Sequence, residues 1–218
     1  MTIKAAIFDW DGTVVDSIEH ISGCLRHAAT SIGYPALERA AYSNIIGLGL
    51  VEALRSLYPT ITSDDMVAMR DAYSSHFMAT AATAQQVFPG MTDILQDLHT
   101  SGRHCAVATG KSRRGLDRAL EHSQLGKWFH VTRCADETRS KPDPSMLVEI
   151  LAHLQLEPSE AVMIGDTSYD LEMAANIGMP SIGVPWGAHH QDILARHKPV
   201  AIVSSVAELR ELLRQPEC

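Results

Sequence analysis

The chain has 218 residues, of which 45% are hydrophobic and 20% charged, and its formal net charge is -8. That composition suits one soluble globular domain, or one domain with an insertion, whose core is large enough to need no disulfide or structural metal. The negative charge argues against nucleic acid or an anionic membrane as the main partner, but leaves room for a small anionic substrate in a locally positive site. Four cysteines, Cys24, Cys105, Cys134 and Cys218, form no CxxC pair and read as reduced thiols. The opening segment has one lysine and too few apolar residues before Asp9 for a secretory leader. No apolar run reaches the ~18 residues of a membrane span. A cytoplasmic location is therefore expected.

The first predicted strand, Ala5-Ala6-Ile7-Phe8, runs into Asp9-Trp10-Asp11-Gly12-Thr13. From about Ser17 to about Ala84 the pattern is helical, with amphipathic stretches over 21–33, 50–58 and 63–80. Ser63 before Asp64 and Asp65 reads as an N-cap with acids in the first turn. Val87-Phe88-Pro89-Gly90 marks the return to strand and helix alternation. Further strands are expected at 105–110, 161–166, 181–184 and 200–203, with helices at 91–100, 112–123, 144–154, 168–177 and 205–214. The strands are short, apolar and not alternating, as in parallel strands covered on both faces. The predicted fold is thus α/β, a doubly wound parallel sheet with an inserted all-helical segment. Residues 1–16 and 85–218 form the expected core, and 17–84 the insertion. Right-handed crossovers place all the strand C-termini along one edge, where ligands bind in such folds.

Four strand-end or loop motifs meet at that edge: Asp9 to Thr13, the Ala108-Thr109-Gly110 strand end, Lys141 within Ser-Lys-Pro-Asp-Pro, and Asp166 followed four residues later by Asp170. They would gather four carboxylates, a hydroxyl and an ammonium. Crowded carboxylates need protons or a cation, and hard oxygen donors without Cys or an ordered His set select Mg²⁺. Such a site, with helix N-termini around it, suits a phosphoryl group. Asp9 and Asp11 point to the same face of an extended segment, so one can attack phosphorus while the other protonates the leaving oxygen. Asp170 lies one helical turn from Asp166 and can support the metal site.

In this order and spacing the motifs closely resemble those of the haloacid dehalogenase superfamily, over essentially the whole chain. The helical insertion resembles the C1 cap of subfamily I, and the nearest likeness is to phosphoglycolate phosphatase-like members. The resemblance implies a Rossmann-like core and a Mg²⁺-dependent phosphatase acting on a small phosphorylated metabolite. It implies Asp9 as the nucleophile that forms an aspartyl-phosphate, and Asp11 as general acid/base with its carbonyl on Mg²⁺. Thr109, Gly110 and Lys141 are then phosphate-binding, Asp166 a metal ligand and Asp170 its supporting acid. The dehalogenase relatives lack an acid at the Asp11 position, so Asp11 favours phosphate chemistry.

Substrate choice in this family lies in the cap, whose candidate loop here is 45–54, glycine-rich, apolar and without a cation until Arg55. The sugar phosphomutases resembled carry a basic residue in that loop and a His ten residues after the acid/base Asp, where this chain has Ile21, with His20 one place early. Hydrolysis of a small monoester such as 2-phosphoglycolate is the expectation. Pyrophosphatase, sugar-phosphate phosphatase or phosphomutase activity is the alternative, and a receiver-type phospho-acceptor module a distant one. Lys111, Arg113 and Arg114 open a helix, where cations are disfavoured, so they either face an anion or form a solvated basic turn. His189 and His190 read as surface histidines, and Trp10 as core packing. The sequence assigns no oligomeric state.

Overall fold

The computed structural model describes residues 3–84 and 86–214. Strand β1 (Ala5–Phe8) is followed by a two-residue strand β2 (Val15–Asp16) and helices α1 (Ile18–Ser31), α2 (Arg39–Asn44), α3 (Leu50–Leu57) and α4 (Ser63–Ala84). Strand β3 (Gln86–Val87) pairs antiparallel with β2, so a short ribbon carries the chain into and out of the helical segment. The rest alternates: α5 (Met91–Thr100), β4 (His104–Thr109), α6 (Arg113–Ser123), β5 (Val131–Cys134), α7 (Ser145–Leu154), β6 (Ala161–Gly165), α8 (Ser168–Ala175), β7 (Ser181–Gly183), α9 (Gln191–Ala195), β8 (Ala201–Ile202) and α10 (Val206–Arg214).

Six of the strands form one sheet in the order β5-β4-β1-β6-β7-β8, every adjacent pair parallel. The period of two sorts side chains onto two faces. Ala6, Phe8, Cys105, Val107, Val162 and Ile164 pack with α5, α6 and α10. Ala5, Ile7, Ala106, Ala108, Ala161 and Met163 pack with α7 and α8. This is the expected doubly wound α/β sheet, and β1 lies at its centre because all four of its side chains are buried. Helices α1 to α4 share a core of their own, built from Ile21, Leu25, Tyr42, Leu54, Leu57 and Met69 among others. No helix among the described residues is long and apolar enough to cross a membrane.

Five of these elements were not expected, among them β2 and β3, whose two residues each are too short for a pattern. Strand β5 sits at the sheet edge, where Thr132 and Arg133 are half-buried, so its four residues form no apolar run. Helices α2 and α9 have only six and five residues, too short for a periodic signal. The cap of α4 also falls one residue earlier than expected. Thr62 Oγ1 accepts the Asp65 N–H at 3.2 Å and donates to the Asp65 carboxylate at 2.8 Å, so Thr62 caps the helix and Ser63 is its first residue.

Candidate active site

The site begins where β1 runs out. The Asp9 N–H still donates to the Ile164 carbonyl at 2.9 Å, so the sheet holds Asp9 in extended geometry, and its side chain is buried. The chain then turns sharply. The Gly12 N–H donates to the Val15 carbonyl and the Val14 N–H to the Trp10 carbonyl, at 2.8 and 2.9 Å. Gly12 has φ +80°, and a Cβ there would lie 2.3 Å from Asp166 Oδ2. Glycine is thus required twice over, by the left-handed backbone and by the close approach of a carboxylate.

Asp166 follows directly from β6. Its Oδ1 accepts the Thr13 hydroxyl at 2.8 Å and its Oδ2 the Ala188 N–H at 2.7 Å. Asp170 stands in the first turn of α8, where its Oδ2 accepts the N–H and hydroxyl of Thr167 at 3.2 and 2.7 Å in a capping box. Its Oδ1 lies 2.6 Å from Lys141 Nζ, and the same ammonium lies 2.8 Å from Asp9 Oδ1. All three side chains are buried.

Asp9, Asp166 and Asp170 each present an oxygen within 4.8 Å of the others. Burial drives the Asp9 carboxyl well above its ordinary range; Lys141 opposes this while Asp170 and Asp166 add to it. Burial and the Asp170 charge push Asp166 up to about 7. Burial alone would lower Lys141, but Asp170 and Asp9 outweigh it and hold the ammonium charged. With all three acids ionised, the cluster would carry more negative charge than one lysine neutralises. Among the described residues, Asp9 Oδ2 is buried and receives no hydrogen bond. An oxygen left without a donor beside two further carboxylates fits a divalent cation as the missing partner.

Asp11 stands apart from these three. Its Oδ1 accepts the Ser17 hydroxyl at 2.7 Å and its Oδ2 lies 3.0 Å from Lys111 Nζ. Ser17 precedes α1 but its side chain caps nothing there, because it is committed to Asp11. Thr109 is buried at the end of β4, and its hydroxyl accepts the Lys111 N–H at 3.2 Å. Gly110 packs against the loop before α3: a Cβ there would lie 2.5 Å from the Leu48 carbonyl and 2.6 Å from that of Gly47.

A family model described as haloacid dehalogenase-like hydrolase matches residues 6–184. The chain belongs to that family. It is an enzyme of the phosphoric monoester hydrolase class. A relative from Mycobacterium tuberculosis named tyrosine-protein kinase PtkA is 31% identical and is matched over 96% of this chain and 72% of its own. A phosphoglycolate phosphatase from Vibrio parahaemolyticus is 28% identical, over 97% of this chain and 96% of its own. Among solved structures, a predicted phosphatase from Clostridium acetobutylicum superposes with TM-score 0.87 at 26% identity, covering 98% of this chain and 99% of that one.

In this haloacid dehalogenase-like hydrolase, Asp9, Lys141, Asp166 and Asp170 converge on one buried point, while Asp11 faces Lys111. The Lys111 to Arg114 turn divides. Lys111 reaches the site, Arg113 is bound to Glu137 and Asp117, and Arg114 is exposed. His189 corrects the sequence reading. It is buried, its Nδ1 accepts the Ser168 N–H at 3.0 Å, and its Nε2 lies 3.2 Å from the Asn44 carbonyl of the cap. His190 is exposed as expected. Trp10 is fully buried edge-to-face against Phe129, also as expected. Thr13, Ser17 and Thr167, which orient the acids, were not singled out in the sequence. The Thr167 to Asp170 spacing, T-x-x-D at a helix start, was the one available signal.

Proposed function

We propose that this enzyme is a Mg²⁺-dependent phosphatase that hydrolyses a small phosphomonoester through an aspartyl-phosphate on Asp9. The observation that carries this is the Asp9 carboxylate itself. It is buried, clamped on one oxygen by Lys141, and free of donors on the other. Asp9, Asp166 and the carbonyl of Asp11 would hold the ion, with Asp170 in support; the ion supplies charge neutralisation for the carboxylates and the phosphoryl oxygens.

Asp9 attacks phosphorus, a new P–O bond forms to its carboxylate oxygen, and the ester P–O bond breaks. Asp11 gives its proton to the departing oxygen, which leaves as an alcohol. Water then attacks the phosphoryl group, Asp11 takes back a proton, and inorganic phosphate leaves with Asp9 restored. Thr109, the Gly110 backbone and Lys141 bind the phosphoryl oxygens. Ser17 and Lys111 fix which way the Asp11 carboxyl faces. Residues 17–84 serve as the cap and the flanking segments as the catalytic core. A cytoplasmic location accords with the buried free thiols of Cys24, Cys105 and Cys134.

A screen of small phosphorylated metabolites for phosphate release tests this reading. Activity is expected with Mg²⁺, is lost in EDTA, and is abolished in a folded Asp9→Asn variant. Wild-type turnover by that variant, or full activity in chelator, would refute it. The kinase-named relative, at 31% identity, favours a second reading in which the phosphoryl group on Asp9 passes to a hydroxyl other than water. Labelled phosphate retained on protein after incubation with ATP, with no phosphate released from small esters, would select that reading.

A further inference from the structure

We propose that Met78 is a site of oxidation by peroxide, and that its sulfoxide fastens the helical segment to the sheet-bearing part of the chain through Arg118.

Exposure separates Met78 from the other methionines. It stands on α4 and is 46% exposed, whereas every other methionine among the described residues is buried, at 8% exposed or less. A thioether is oxidised where the oxidant can reach it, so the fold singles out this sulfur. The same exposure makes the product tolerable. A sulfoxide formed in a core would place a polar group among apolar side chains, but at Met78 water already solvates it.

What the sulfur touches gives the modification a consequence. Arg118 on α6 donates from Nη1 to Met78 Sδ. Helix α4 packs in the core of the helical segment and α6 against the sheet, so this bond crosses between the two. Arg118 is half-buried, and among the described residues it has no carboxylate partner and no other hydrogen bond. Arg113, at the start of the same helix, is by contrast bound to Glu137 and Asp117. A guanidinium carries five N–H donors, and a thioether sulfur is a weak acceptor. The arginine is thus short of acceptors at the atom to which peroxide would add an oxygen. The neighbouring Phe77 ring lies 5.0 Å from Lys111 Nζ, a second contact between α4 and the segment that leads into α6.

The step balances with hydrogen peroxide as the oxidant. A sulfur lone pair attacks one peroxide oxygen, the O–O bond breaks, an S=O bond forms, and the other oxygen leaves as water. Sulfur gives up two electrons and peroxide takes them. The new oxygen accepts from Arg118 in a charge-assisted hydrogen bond stronger than the one to the thioether. Enzymatic reduction of the sulfoxide restores the starting state.

The test treats the full chain with limiting hydrogen peroxide and maps the added oxygen by peptide mass spectrometry. Met78 should be oxidised before any other described methionine. Hydrogen exchange then reads the fastening: exchange of the α4 amides should slow by about 10-fold on oxidation, the lower end of the worth of a hydrogen bond to a charged group. Arg118→Leu should still be oxidised at Met78 but show no slowing. Met78→Gln, which puts an amide oxygen near the place of the S=O, should show slower α4 exchange with no peroxide at all. That second variant keeps the test sharp even if Arg118→Leu folds poorly. Earlier oxidation of a buried methionine would overturn the proposal. So would α4 exchange that is unchanged or faster after oxidation, or that slows equally in Arg118→Leu.

Discussion

The Asp166 carboxyl gives a stability prediction with a definite sign. Burial and Asp170 raise it from 3.8 to about 7 in the folded protein without metal. Between those values the folded chain holds a proton that the unfolded chain has released, so stability falls as pH rises toward neutrality and levels off above it. At about 1.4 kcal/mol per pH unit, the loss between about pH 5 and about pH 7.5 is about 2.5 kcal/mol. Buried histidines such as His189 act in the opposite sense, because burial lowers their affinity for a proton. The comparison with Asp166→Asn removes their contribution. The amide keeps an oxygen for the Ala188 N–H, and the Thr13 hydroxyl can rotate to accept from the new amide. Urea unfolding in EDTA, wild type against variant, reads the difference at each pH. A denaturant dependence of about 2 kcal/mol per molar turns the expected change into a midpoint shift of about 1 M. A difference that stays flat, or grows with pH, would refute burial as the dominant influence on Asp166. Added Mg²⁺ should stabilise wild type more at neutral than at acid pH, since the ion binds the ionised carboxylates.

Lys141→Met removes the ammonium that lies 2.8 Å from Asp9 and 2.6 Å from Asp170. Breaking such a buried arrangement costs about 3–5 kcal/mol, so the melting temperature in chelator should fall by about 10 °C. A fall below about 2 °C by scanning calorimetry would contradict the buried triad. Gly110→Ala places a Cβ 2.5 Å from the Leu48 carbonyl, so the cap loop must move off the core. A displacement on the ångström scale can cost about 100-fold in kcat/KM. Wild-type kinetics in that variant would show that catalysis does not use this packing of the loop.

The acids were legible because each sits at a strand end that the apolar runs already located. Asp9 follows β1, Asp166 follows β6, and Asp170 follows by one helical turn. What orients them was harder to read. Ser17 looks like a helix cap, but its hydroxyl goes to Asp11. Lys111 looks like part of a basic turn until the fold brings it to Asp11, 100 positions earlier in the chain. His189 and His190 are identical letters. One turns in, where its Nδ1 accepts the Ser168 N–H, and the other remains in solvent. Strand β5 was missed for a similar reason, since half-burial at a sheet edge imposes no apolar run.

The loops around the acid cluster also hold residues 44–49 of the helical segment. Gly110 follows Thr109 and packs against the Gly47 and Leu48 carbonyls. Ser140 precedes Lys141 and accepts the Gly49 N–H at 2.8 Å. Tyr169 precedes Asp170 and donates from its hydroxyl to the Asn44 carbonyl at 3.0 Å, and His189 reaches the same carbonyl. Each of these contacts ends on the backbone of residues 44–49. Polar backbone groups thus help fix that stretch, alongside the buried side chains of Ile45 and Ile46. Its glycines give the backbone close access to the core, and they also leave the loop with no cation to offer a substrate. On the core side of that stretch, Lys111 Nζ lies 3.0 Å from Asp11 Oδ2 and 5.0 Å from the centre of the Phe77 ring.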